Sequence, residues 1–327
     1  MIALWLCLAT AALAADDQRL ERLTVAGPPA AVSYPLIELV ESGALDALAR
    51  RVEFVSWRDP DQVRALILRD EVDLVALPSN VAANLYNRGV EIRLVNISAW
   101  GLLWLLSRDP DIARLEDLAG AEIVVPFRGD MPDIILGELL ARNGLDVRSD
   151  VRLRYVASPM DAMQLIIMRR ASHAVLSEPA ASMALEKTAS GMTGLIAPDL
   201  HRAIDLQSAW ATAFERDARI PQAGIVAVGP LPEPVIEAFA NAYADALERL
   251  LADPGRAAGQ IVAALPMLTE TAAVEAITHS RLEAVAATEA REALEFFYRI
   301  LEQRSPALIG GRLPDNGFYF TPRPPEP

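Results

Sequence analysis

An α/β fold of two similar lobes is what this sequence predicts, on three observations. Short runs rich in Val, Ile and Leu alternate with longer helical runs, and turn residues separate them. The order strand, helix, strand, helix, strand, helix occurs twice, over 23–98 and again over 115–188. The 327-residue length suits about two domains of roughly 150 residues each.

The first unit opens with a strand at Leu23–Ala26, stopped by Gly27, Pro28 and Pro29, then a helix from Ser33 to Leu48 that Ser33 can cap. A strand follows at Val52–Ser56, a helix opened by Asp59 and Pro60, and a strand at Val72–Leu77 ending at Pro78, after which Ser79 caps a third helix. Glu91–Ile97 and Leu102–Ser107 are further apolar runs, with Trp100 and Gly101 between them. The second unit has a strand at Glu122–Pro126, the turn Phe127–Asp130, and a helix from Pro132 to Arg142 that Asn143 and Gly144 terminate. Strand Val151–Val156, helix Ser158–Arg170, strand His173–Leu176 and a helix begun by Ser177, Glu178 and Pro179 complete it. Residues 190–199 are linker-like. Gly224–Val228 is one more strand, and 234–303 is helical throughout, with Leu294, Phe297, Tyr298 and Leu301 on one face. The tail TPRPPEP has too much proline to pack.

Composition narrows the function. Apolar residues make 52% of the chain and charged residues 23%, the balance of a protein with packed cores rather than a disordered one. A net charge of −14 repels a phosphate backbone, so nucleic acid is excluded as a partner. His173, His201 and His279 stand far apart, and Cys7 is the only cysteine, so a zinc site of ordinary composition is excluded. Residues 1–15 read as a secretory signal: an uncharged apolar run with Ala12, Ala14 and Ala15 at its end, too short to span a bilayer. Trp5 and Leu6 before Cys7 resemble a lipoprotein signal poorly. Removal of 1–15 leaves a chain without thiols, which suits an oxidising compartment such as the periplasm.

In an open parallel sheet, ligands bind beyond the carboxyl ends of the strands, where helix N-termini present free N–H groups. The candidates are therefore Gly27 and Pro28 after the first strand, Ser33 and Tyr34 at the first helix, and Ser79 and Asn80 after the third strand. In the second unit they are Phe127, Arg128, Gly129 and Asp130, then Ser158, Ser177 and Glu178. Helix N-termini favour a carboxylate or sulfonate, and Arg128 can add a bidentate contact. Against that stand plainer roles. The serines are ordinary caps, Arg128 can pair with Asp130 at the surface, and Glu178 can serve a helix dipole. Trp57, Trp100 and Trp104 suit core packing, although Trp57 follows a strand and could line a cleft; Phe318, Tyr319 and Phe320 suit an anchor for the C-terminal segment.

The segments LTVAGPPAAVSYPLIELVESGAL, EVDLVALPSNVAANLYNRG, RLEDLAGAEIVVPFRGDMPDIILGELLARNGLD, SEPAASMAL and PEPVIEAFANAYADALERLLADPGRAA, in that order, are similar to a known family. They resemble secreted substrate-binding proteins of ABC importers, of the nitrate, taurine and alkanesulfonate group with its thiamine-precursor-binding relatives. That resemblance covers nearly the whole chain after residue 15. It implies a periplasmic-binding-protein type 2 fold: two α/β lobes, a two-strand hinge and a ligand cleft between them. It divides the chain into lobe I at 16–98, lobe II at 99–204, and a return to lobe I with C-terminal helices at 205–327. It also implies a monomer that closes over a small solute (a sulfonate, carboxylate, nitrate-like anion or pyrimidine-like compound) and hands it to a membrane permease and its ATPase, with no catalytic residue, no metal and no cofactor. The family often carries Gly, Ser and Thr in the second-lobe loop; PFRGDMPD here leaves room for a zwitterionic or cationic ligand.

Two other readings compete. An enzyme on the same lobes would need a base or nucleophile near the strand ends, yet Lys187 is the sole lysine and sits late in a helix, and the one histidine near a strand end, His173, lies before its strand. Carboxylate chemistry by Asp130, Asp133 or Glu178 stays open, without an acid and base pair in separated environments. A sensory module would use the same closure without transport.

Overall fold

The computed structural model describes residues 19–189 and 199–322. The signal segment 1–15 with Cys7, nearly all of the expected linker and residues 323–327 of the tail lie outside them.

The first sheet is built on β1 (Leu23–Gly27), β2 (Val52–Ser56) and β3 (Leu74–Pro78), with β1 parallel to both neighbours. The second repeats this arrangement with β6 (Glu122–Pro126), β7 (Arg152–Val156) and β8 (His173–Ser177), where β6 lies parallel to both. Around these trios the chain exchanges strands. β4 (Ile92–Gly101) finishes in the first sheet, and β5 (Leu103–Ser107) enters the second beside β8, antiparallel to it. β9 (His201–Asp205) joins β5, and β10 (Ala223–Val228) returns to the first sheet between β3 and β4, antiparallel to both. With β11 (Arg281–Ala286), the orders are β11-β4-β10-β3-β1-β2 and β7-β6-β8-β5-β9. Two crossings, at Leu102 and at residues 215–222, therefore join two α/β lobes.

The helices follow the repeat. α1 (Tyr34–Glu41), α2 (Pro60–Leu68) and α3 (Ser79–Asn87) serve the first trio, and α4 (Met131–Arg142), α5 (Pro159–Ile167) and α6 (Ala180–Ala189) the second. α7 (Leu206–Phe214) follows β9, and α8 (Glu233–Ala252), α9 (Ala258–Ala264), α10 (Glu270–Thr278) and α11 (Arg291–Arg304) complete the chain. α8 buries Ile236, Phe239, Tyr243, Ala246, Leu247 and Leu250, a stripe at helical spacing. Each large side chain of that stripe contributes about 1.5–3 kcal/mol by leaving water, and the Tyr243 hydroxyl donates to Val32 O at 2.9 Å. α11 buries Leu294, Phe297, Tyr298 and Leu301, the face read from the sequence, and Phe297 meets Trp210 of α7 edge to face at 5.7 Å. Phe318 and Phe320 are buried as a C-terminal anchor, with Phe320 N–H on Leu94 O at 2.8 Å.

Several expectations change. The helix expected over Ser33–Leu48 is a 3-10 turn at Ala31–Ser33 followed by α1, which ends at Glu41 because Gly43 turns left-handed at φ 69°. Neither Ser33 nor Ser79 caps its helix. β9 and α7 were not read from the sequence. They lie with the second sheet, so the return to the first falls after Phe214 instead of at 205; Asp205 pairs with Trp104 and its carboxylate caps α7. The helical reading of 234–303 is interrupted by β11, an edge strand on β4 that pairs Leu282 with Ala99 and Val285 with Ile97.

Candidate functional site

The first turn, after β1, is made by a glycine and a serine. A Cβ on Gly27 would lie 2.2 Å from Ser33 Oγ, and that hydroxyl donates to Pro28 O at 2.6 Å. Only glycine lets the buried Ser33 pull the chain this tight, and Pro28 and Pro29 then project beyond the strand end. The corresponding second-lobe turn is tied differently. Phe127 takes φ 56° and Gly129 φ 76°, both left-handed; for Phe127 that costs about 1–2 kcal/mol. Asp133 on α4 holds the turn, accepting Gly129 N–H at 2.7 Å and Tyr155 O–H at 3.1 Å. Asp130 then caps α4, accepting Met131 N–H at 2.9 Å.

Where the lobes face each other, these turns enclose a cavity of about 320 Å³, at the small end of the range of solute pockets. Pro28, Pro29, Trp57, Ala76 and Pro78 line it from the first lobe. Phe127, Asp130, Met131, Ser158, Met160 and Ser177 line it from the second. Leu102 and Gln222, on the two crossings, form its back wall, and Met267 closes one side. The lining carries two charged side chains. Arg58 is exposed at the mouth, and Asp130 is 8% exposed. Burial raises the Asp130 carboxyl above the usual aspartate range, against the pull of Met131 N–H, Arg64 and the Asn80 amide. Asn80 Oδ1 and Trp57 Nε1 are both buried and have no hydrogen-bond partner among the described residues.

α3 begins at this cavity behind Pro78, with no side-chain cap and no acid in its first turn. Four further helices begin there with a proline at the start, Pro60, Pro132, Pro159 and Pro179, and each of these four is capped by its own chain. Asp59 accepts Asp61 N–H and Gln62 N–H, Ser158 accepts Asp161 N–H at 3.2 Å, and Glu178 accepts Ser182 N–H at 3.0 Å, completing the set with Asp130. Glu178, fully buried, also pairs with Arg202 at 2.8 Å. Burial raises its carboxyl above 4.5, with Arg202 and Ser182 opposing the shift.

The hinge is polar inside. Gln222 accepts Leu102 N–H at 3.0 Å and donates to Gln207 Oε1 at 3.1 Å; Gln207 brackets Leu103, accepting its N–H at 3.1 Å and donating to its carbonyl at 3.0 Å. The two glutamines thus tie both crossings together directly behind the cavity.

Of the residues expected at the site, Pro28, Phe127, Asp130, Ser158 and Ser177 line the cavity. Gly27, Ser33 and Gly129 shape its turns, and Asn80 is buried on α3 outside the lining. Ser79 is drawn away, its hydroxyl donating to Pro221 O on a crossing at 2.5 Å. Tyr34 is fully buried in the first lobe, its hydroxyl pushed far up by burial and by Glu178. Glu178 faces Arg202 instead of the cavity. Arg128 lies at the mouth, its guanidinium 5.1 Å over the Tyr155 ring. The residues missed are the apolar ones, Met131, Met160 and Met267, and Gln222. The position of Trp57 just after β2 was a usable signal; for Met267 and Gln222 the sequence carried none.

No protein-family model matches the chain, and no curated protein matches it. Solved structures do. An ABC transporter protein of Parabacteroides distasonis is 26% identical, with 93% of this chain and 100% of that one covered and a TM-score of 0.77. The periplasmic aliphatic sulphonate binding protein SsuA of Escherichia coli is 14% identical over 94% of both chains, with a TM-score of 0.69. The alkanesulfonate-binding protein SsuA of Xanthomonas axonopodis pv. citri, bound to MOPS, is 12% identical over 92% of this chain and 97% of that one, with a TM-score of 0.66. Two of these neighbours are named as sulphonate-binding proteins and the third as an ABC transporter, and this chain has their two-lobed fold. Among the described residues, no helix is long and apolar enough to cross a membrane.

Proposed function

We propose that this protein is the periplasmic solute-binding component of an ABC importer, closing its lobes over one small solute and presenting it to a permease and its ATPase. The observation that carries this is the interlobe cavity, lined by turns from both sheets and backed by both crossings. A solute there touches both lobes at once, so binding favours the closed arrangement by its differential contacts. The likeness to transport proteins of the same fold supports a binding role without turnover. The monomeric state and the signal at 1–15 belong to the same reading.

A thermal-shift screen of the purified chain against amines, alcohols, pyrimidines, carboxylates and sulfonates tests it. At least one compound is expected to raise the melting temperature saturably, as mass action requires, and to be recovered unchanged by mass spectrometry. Stabilisation by none of them would contradict binding, and chemical conversion of the bound compound would replace transport with catalysis.

A further inference from the structure

Resting on that solute-binding reading, the arrangement of the cavity names the chemistry of the solute. An anion binds at helix N-termini because free N–H groups and the positive end of the helix dipole await it. At four of the helix starts around the cavity both attractions are already met, and α3, behind Pro78, is the one start without a side-chain cap or a first-turn acid. The prolines at the starts of α2, α4, α5 and α6 carry no N–H. The caps Asp59, Asp130, Ser158 and Glu178 take N–H groups of the first turns. Asp61, Asp133 and Asp161 add further negative charge to the first turns of α2, α4 and α5.

What the cavity offers instead is one buried carboxylate, that of Asp130, with one buried unpartnered donor, Trp57 Nε1, on the facing wall. Apart from Ser158, Ser177 and Gln222, the rest of the wall is mostly proline, methionine, phenylalanine, leucine and small aliphatic residues with the Trp57 ring, which reward an apolar body. Arg58 is the remaining charge, and it stands exposed at the mouth, where water screens it.

We propose that the cavity takes a compact, largely apolar solute bearing one protonated amine, that the amine docks against the Asp130 carboxylate between the lobes, and that carboxylates and sulfonates of the same skeleton are rejected. The pairing restores to Asp130 the countercharge that burial denies it.

Calorimetry with four size-matched probes tests this: benzylamine, benzyl alcohol, benzoate and phenylmethanesulfonate. Benzylamine is expected to bind at least about tenfold tighter than either anion. Asp130→Asn, which keeps a good helix cap, is expected to lower benzylamine affinity at least about tenfold and to leave benzyl alcohol within about twofold. An anion that binds as tightly as the amine would overturn the amine assignment while leaving solute binding intact. Failure of all four probes to bind would overturn it too, with the wider thermal-shift screen deciding separately whether any solute is bound. An amine preference that survives in Asp130→Asn would remove Asp130 as its anchor.

Discussion

The two walls of the cavity come from equivalent strand ends and do different work. In the first lobe the turn after β1 is Gly-Pro-Pro, pinned by a serine hydroxyl, and what reaches the cavity is shape: Pro28, Pro29 and Pro78 with the Trp57 ring. In the second lobe the turn after β6 is Phe-Arg-Gly-Asp, pinned by Asp133, and what reaches the cavity is a buried carboxylate with Ser158 and Ser177 beside it. The same βαβ order therefore yields a rigid apolar wall on one side and a recognising wall on the other. Topology fixes where the turns lie, and three or four residues in each turn decide what they say to a ligand.

That contrast can be broken from either side. The largest effect is expected behind the second-lobe wall, in Arg202→Met, which leaves Glu178 buried without its partner and costs about 3 kcal/mol near neutral pH. The sign with pH follows from burial, which holds the Glu178 carboxyl above 4.5 in the folded chain. Its contribution to stability is full below that value and is lost as the pH rises through the folded pKa. Loss of Arg202 lifts that pKa further, so the deficit shrinks as the pH falls toward 4.5. Urea melts at pH 7.5 and pH 4.5 check this; an equal deficit at both would mean that the charge of Glu178 is irrelevant.

At the shape-giving wall, Gly27→Ala is expected to cost about 2 kcal/mol. The added methyl displaces Ser33 Oγ and with it the bond to Pro28. Its check is a thermal melt together with solute affinity, which should fall as the Pro28–Pro29 wall shifts. An unchanged melt would show that Ser33 swings aside freely. The smallest effect belongs to Arg128→Ala. Its guanidinium rests on Tyr155 outside the cavity, so stability should change by no more than about 0.5 kcal/mol and solute affinity by about twofold at most. A tenfold loss of affinity in calorimetry would place Arg128 in the site after all.

The strand ends were legible in the sequence because their signals are local. β2 and β6 occupy the expected residues, and Asp59 with Pro60 starts α2 where the pairing of cap and proline says it should. Asp130 and Ser158 were readable for the same reason. Ser79 looked identical to Ser158 and is not: its hydroxyl is claimed by Pro221, which approaches only because the second crossing passes beneath α3. No local pattern announces a partner that arrives through topology. β11 was hidden in the same way. RLEAVA has helix-forming residues, and it is extended because β4 offers an open edge, reinforced by Trp100 Nε1 donating to Glu283 O at 3.0 Å. The expectation of an anion rests on helix N-termini counted as donors; the charge of the solute was not legible because only the fold brings the prolines and acids at those positions to one cavity.

A structure of the protein with its tightest-binding amine tests the account most directly. The account predicts the solute between the two sheets, its apolar body against Trp57 and the prolines and its nitrogen within hydrogen-bonding distance of the Asp130 carboxylate. A solute held on one lobe alone, or seated with an anionic group at the starts of α4 and α5, would contradict it.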